Sequence, residues 1–221
     1  MQFKRTFSFA LALIAVGAVA FSVAARAANT TPAITAFNQS FASTNDYKLT
    51  LKAHEVMGSK TQDRTYSYWF MKPTYAKTLI LAGDGQGSGG VWTGGDTVSG
   101  HQGGILSGLH LTVSIHDPRA TSLRGYTIPD GLMQNIVNKF QTVPGTLTQT
   151  AGGKIGGVLT DRVELKVADP ATNGDVSDEV IYFSQDTHWP VRELLYQGSQ
   201  IVLDQSVTDL KLNTGLTKAD F

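Results

Sequence analysis

The histidines at positions 54, 101, 110, 116 and 188 are the side chains best suited to metal binding or proton transfer, and His110, His116 and Asp117 lie close together in sequence. A zinc site needs ligands spaced to converge from one element, as in His-Glu-x-x-His on a single helical face. His54-Glu55 has no second histidine four residues after the first, so no metal site is expected. A serine nucleophile would stand on a strained Gly-x-Ser-x-Gly turn, and neither Ser88 nor Ser107 has glycines at those offsets. Gly85-x-Gly87-x-x-Gly90 matches the glycine spacing of a dinucleotide fingerprint. That motif works by leading into a helix N-terminus that holds the pyrophosphate, and Val91-Trp92-Thr93-Gly94-Gly95 is not one. The carboxylates Asp178-Glu179 and Asp161 with Glu164 fall on strand or turn positions typical of solvated faces. The sequence therefore predicts no catalytic residue and no cofactor, and the chain does not read as an enzyme.

What remains is hydrophobic patterning. Tyr66, Tyr68 and Phe70 alternate along one strand, with Tyr75 just beyond, so three aromatic rings point into one space. Such a set builds either an ordinary core or the wall of an apolar cavity.

The elements that must position these rings follow from composition and period. The chain has 221 residues, 41% of them hydrophobic, with 18 Lys plus Arg against 18 Asp plus Glu, a globular balance with no electrostatic pull towards nucleic acid. It has no cysteine, which removes disulfides, thiolate metal sites and lipidation at an N-terminal Cys. Residues 1 to 27 have a basic start (Lys4, Arg5), an apolar run from Phe7 to Val23, and Ala25-Arg26-Ala27 with small residues where a signal peptidase reads. That plan predicts a secretory signal cut after Ala27 and a periplasmic product. Loss of Lys4, Arg5 and Arg26 takes the basic count from 18 to 15 against 18 acidic groups.

In the remainder, Ile34, Phe37 and Phe41 recur at helical spacing between Pro32 and Ser43. Tyr47, Leu49, Leu51 and Ala53 then alternate with polar residues, which predicts a strand wet on one face. Further strands are expected over 64–72 and 75–81. Ten glycines in 22 residues between Gly83 and Gly104 predict turns and bulges at a sheet rim, with a short strand candidate at Val91-Trp92. Leu132, Met133, Ile136, Val137 and Phe140 share one face of a second helix, for which Asp130 is the expected cap. Strands return over 157–168, 179–185, 190–196 and 200–212. The pattern predicts an α+β fold, in which a strongly curved antiparallel β-sheet of about eight to eleven strands carries helices on its concave face.

Several stretches, taken in order, resemble a known family. They are the N-terminal helix, Asp46-Tyr47-x-Leu49-x-Leu51, a strand closing in Lys72-Pro73, the Gly-Trp region and the central helical excursion. Asp186-x-x-x-Pro190-Val191, Thr208-Asp209-Leu210-Lys211-Leu212-Asn213 and Ala219-Asp220-Phe221 complete the series. Together they resemble the LolA-like outer-membrane lipoprotein-sorting proteins. The resemblance implies that residues 28–221 form one lipid-binding domain, an unclosed half-barrel whose interior holds the acyl chains of a lipoprotein or another lipid.

On that reading Leu49, Leu51, Tyr66, Tyr68, Phe70 and Tyr75 line the cavity, and Phe37, Phe41, Leu132, Ile136 and Phe140 form the lid. Lys72 stands where the carriers have an arginine bonded to the lid; lysine keeps the charge without the planar fork. The implied partners are lipid, an inner-membrane donor protein and an outer-membrane acceptor protein, served by a monomer. The competing expectation is a non-transporting envelope interaction or sensor module with a solid core.

Overall fold

The computed structural model describes residues 30–106 and 108–221; the expected signal peptide lies outside the described residues. Helix α1 (Pro32–Ala42) begins where Thr31 Oγ1 accepts from the Ile34 amide at 3.4 Å, with proline in the first turn. This is the usual chemistry of a helix start. It stops where the hydroxyls of Ser43 and Thr44 both donate to the Ser40 carbonyl at 2.9 Å.

The chain then builds β1 (Asp46–Met57), β2 (Lys60–Met71), β3 (Tyr75–Gly83), β4 (Gly89–Trp92), β5 (Thr97–His101) and β6 (His110–Ser114). After an excursion that holds α2 (Met133–Thr142) come β7 (Gly145–Ile155), β8 (Val158–Val167), β9 (Asp178–Ser184), β10 (Pro190–Gln197) and β11 (Gln200–Leu212). All eleven strands form one sheet in the order β6-β5-β4-β3-β2-β1-β11-β10-β9-β8-β7. Every pairing is antiparallel. The two halves meet where β1 pairs with β11, Tyr47 opposite Leu212. The sheet does not close, so it is a half-barrel with β6 and β7 as its free edges. Register shifts at Lys48/Thr50, Thr65/Tyr66, Leu195/Tyr196 and Ala151/Gly153 are the local kinks that let so long a sheet bend.

Because β6 and β7 sit at opposite edges, residues 115–144 must cross the sheet, and they do so over the face that carries Tyr47, Leu49, Leu51 and Phe70. Both helices bury their apolar stripes there. Ile34 and Phe37 from α1 and Met133, Ile136, Val137 and Phe140 from α2 join one core with Val163, Leu165, Ile181, Phe183 and Trp189. Its centre is aromatic: Trp189 is fully buried, 5.3 Å from the Phe37 ring and 5.1 Å from Tyr47, which is itself 5.1 Å from Phe70. Trp189 Nε1 also donates to Ser40 Oγ at 2.9 Å, tying α1 to the sheet.

Three expectations are corrected. The glycine-rich stretch is more than a rim of turns: the short strand expected at Val91-Trp92 is β4, and β5 beside it continues the sheet. Glycine is used there for close approach: a Cβ on Gly100 would stand 2.4 Å from the Gly89 carbonyl oxygen, so strand-depleting composition masks strands that only a side-chain-free backbone could pair. Asp130 does not cap α2, since its carboxylate accepts from the Thr127 amide at 2.8 Å and the Thr127 hydroxyl at 2.7 Å, closing the turn before the helix. The first amide of α2, on Met133, donates instead to Tyr47 Oη at 3.1 Å, a cap supplied by a strand 86 residues away. The third is β7, which the glycines at 152, 153, 156 and 157 concealed.

Tyr47→Phe removes this distant cap and leaves a buried amide unpaired. The expected cost is about 1–3 kcal/mol of stability, measured by urea unfolding, with early amide exchange in α2.

Candidate functional site

The helices fill only part of the concave face. Towards β3–β6 the excursion stands off the sheet and leaves a cavity of about 380 Å³, inside the range of about 300–1,000 Å³ usual for small-ligand sites. Its sheet wall is mostly apolar, with Leu51, Tyr66, Ile80, Val98, Leu111 and Val113; Tyr126, Ile128 and Ile136 close it from the excursion side. Leu109 and Leu111 stand at its border and are 53% and 42% exposed, so the cavity communicates with solvent there.

The aromatic rings expected to line one space divide between two. Leu51, Tyr66, Tyr68 and, from α2, Ile136 border the cavity. Leu49 and Phe70 lie beside it in the packed core with Phe37, Leu132 and Phe140, and Phe41 packs partly buried against that core. Tyr75 is elsewhere, its ring 5.7 Å from Phe221 and beneath the Lys218 ammonium. Lys72 reaches the end of α1: its Nζ donates to the carbonyls of Phe41 at 2.7 Å and Ala42 at 3.2 Å, and stands 4.4 Å over the Phe41 ring. Those carbonyls lie in the last turn of α1, at its negative end, where a cation is favoured, and the Phe41 carbonyl also accepts from the Thr44 amide at 3.1 Å.

Sequence reasoning missed the cavity's polar end, where Glu55, Lys139, Glu193 and Gln205 border the same space. Glu55 is buried, and one of its oxygens accepts from Ser122 Oγ and from the Arg124 amide, each at 2.8 Å, pinning the excursion to β1. Glu193 is 3% exposed; its Oε2 accepts from Gln205 Nε2, and its Oε1 has no hydrogen-bond partner. Glu179 lies close by, also buried, with one oxygen accepting from Asn173 Nδ2 at 2.8 Å and the other unpartnered.

Burial pushes the Glu193 carboxyl up to about 7, Glu179 adding to the rise while Lys139 and Gln205 oppose it. Burial works against the charge of Lys139, but Glu193 and Glu179 outweigh it and hold the ammonium above its ordinary range. A signal for these groups was present: Glu179 is in phase with Ile181 and Phe183, and Glu193 with Leu195, so alternation aims both at the apolar face.

The histidines do not converge. His54 meets Asp63 at 2.9 Å, while His101 and His110 face each other across β5 and β6 with rings 5.4 Å apart. Among the described residues no group of three or more His, Asp or Glu side chains is placed to hold a metal ion. The arrangement is chemically suited to holding an amphiphile, a hydrocarbon against the sheet wall and a polar group against the buried charges.

No protein-family model matches the chain, and no curated protein matches it. Solved structures do. MucB superposes with a TM-score of 0.50 at 13% identity over 85% of this chain, which spans 61% of that protein. An outer membrane lipoprotein-sorting protein domain from Vibrio parahaemolyticus gives 0.46 at 12% identity, covering 85% of this chain and 94% of that one. The Mycobacterium tuberculosis lipoprotein LppX gives 0.46 at 14%, covering 84% and 97%. At such identities the likeness is one of fold. The fold shared with MucB is the unclosed half-barrel that the sequence resemblance implied.

The buried carboxyl makes a pH prediction. Glu193 titrates near 7 in the folded protein and near 4.5 in an ordinary setting, so the unfolded chain loses that proton first and folded stability falls as pH rises between those values. The gap corresponds to about 3 kcal/mol at about 1.4 kcal/mol per tenfold change. Glu193→Gln should flatten that part of the stability curve and raise the melting temperature at about pH 8, followed by thermal unfolding across pH.

Proposed function

We propose that this protein is an envelope lipid carrier. It is exported by its first 27 residues, holds an acyl chain of a lipoprotein or another lipid in the half-barrel cavity, and moves it through the periplasm towards the outer membrane. The observation that carries this reading is the cavity itself, an apolar space left between a curved sheet and a crossing helix that could have sealed it. Each methylene taken from water into such a space contributes about 0.8 kcal/mol, so a long chain gains on the order of 10 kcal/mol before ordering costs.

A shuttle must release what it binds. Where cargo displaces the crossing segment from the sheet, lost lid contacts offset part of the gain and keep binding reversible. The crossing segment has few side-chain bonds to release, among them those of Ser122 Oγ and the Arg124 amide to Glu55 and of the Leu123 amide to Gln62. Donor and acceptor proteins in the inner and outer membranes belong to this reading, as does the absence of catalysis.

Purified protein should take up an environment-sensitive hydrophobic dye, and an organic extract should contain a lipid at near-equal molar amount. Leu111→Glu puts a charge on the cavity border at a position exposed enough to spare the fold; dye affinity should fall about tenfold or more. Leu81→Glu, equally exposed on β3 but away from the cavity, should leave it unchanged. No dye uptake by the unaltered protein would reject the carrier and favour the interaction module.

A further inference from the structure

The cavity's polar end is more specific than holding hydrocarbon requires. Of the charged groups that border it, most are already satisfied by the protein. Glu55 accepts from Ser122 and Arg124, Asp130 from Thr127, and Arg119 is paired with Asp117 at 2.7 Å. Arg64 donates to the Asp84 carbonyl at 2.8 Å and, at 3.4 Å, to Tyr66 Oη and the Thr121 carbonyl.

Two groups are not satisfied. Glu193 keeps one buried oxygen without a donor, although an unpaired buried acceptor costs about 1–3 kcal/mol. The Lys139 ammonium stands 5.2 Å over the Tyr126 ring and makes no hydrogen bond with the described residues. None of the four ion pairs of the described residues joins Lys139 to Glu193, so the acceptor and the donor do not satisfy each other.

The head of a bound amphiphile must therefore bring one donor and one acceptor. A free carboxylate head answers Lys139, but places a further anion beside Glu193 and Glu179. An ammonium head answers Glu193 and is repelled by Lys139. A neutral head carrying a hydroxyl and an ester carbonyl answers both without adding a charge to a poorly solvated site.

Resting on the carrier reading, we infer that the cavity selects a neutral acyl ester with a free hydroxyl, of the acylglycerol type. The hydroxyl donates to Glu193, the carbonyl accepts from Lys139, and the tail lies along Ile80, Val98 and Leu111. Gln205 is the positioning residue, since its amide occupies the other Glu193 oxygen and leaves Oε1 for the ligand.

The test is displacement of the hydrophobic dye by ligands with one common tail: 1-monooleoylglycerol, methyl oleate, oleic acid and oleylamine. The monoacylglycerol should displace dye at about tenfold lower concentration than methyl oleate, the worth of roughly one net hydrogen bond, and at lower concentration than the acid or the amine. Glu193→Leu and Lys139→Met should each bring the monoacylglycerol to methyl oleate ratio towards one. Because the readout is a ratio within one protein, a general weakening of binding does not mimic it. Should Glu193→Leu not fold, Lys139→Met carries the same comparison from the half-buried helix side. Equal displacement by the two esters, strongest displacement by the acid or the amine, or a preference that survives these substitutions overturns the head-group assignment and leaves the carrier reading standing. Absence of dye uptake by the unaltered protein overturns both.

Discussion

Strands β6 and β7 follow one another along the chain yet form the two free edges of the sheet, so the segment between them has to span the whole concave face. This crossing is the constraint on which the remaining structure depends. A sheet with one greasy face needs a cover, and here the topology supplies it within the chain itself. The crossing is also anchored unevenly. Near its end α2 is seated on β1 through the Tyr47 hydroxyl and on the core through Ile136, Val137 and Phe140. Before that, residues 119–131 are held chiefly by polar contacts to Glu55, Gln62 and Tyr68. The cover is tight on one side and spanning on the other, which is why the face has a packed half and a hollow half.

The packed half obeys the usual rule that aromatic rings of different orientation interlock at centroid separations of about 5–6 Å. Phe37, Tyr47, Phe70 and Trp189 are so arranged, and nothing can enter there without dismantling the core. The hollow half is lined by smaller or more widely set side chains on short strands rich in glycine. Glycine contributes twice: it lets β4 and β5 approach closely, and it leaves no side chain to fill the space above them. At Gly90, an added Cβ would stand 3.1 Å from Ile128 and 3.2 Å from Val98, so even one carbon there would press on the wall of the cavity.

The buried carboxylates lie under the same crossing and carry an energetic cost that a partner must offset. Glu55 repays it by fastening the crossing segment to β1. Glu193 has no such partner on one oxygen, and Lys139 has only a ring face, so their burial is unexplained by folding alone. That asymmetry between neighbouring acidic residues distinguishes a clasp from a recognition point.

Much of the fold was legible in the sequence. Period-two alternation from Tyr47 to Ala53 and from Tyr66 to Phe70, and the helical spacing of Phe37, Phe41, Ile136 and Phe140, named the sheet, its inner face and the helices that cover it, because side-chain direction follows from backbone period. The cavity was less legible. Leu51 and Phe70 carry the same alternation signal, yet one borders open space and the other is sealed, since packing is decided by what lies opposite and alternation reports only which face a residue takes. Strand β5 was hidden, and β4 showed only as a short candidate at Val91-Trp92, because glycine lowers strand propensity even where close approach demands it. The cap on α2 was invisible because its donor and acceptor are joined by the sheet and not by nearby chain. Local chemistry, in short-range period and composition, thus determined that there would be a curved sheet with greasy helices above it. Only the tertiary structure decided where those helices touch and where they stand clear, because that depends on distances between residues that the chain brings together from far apart.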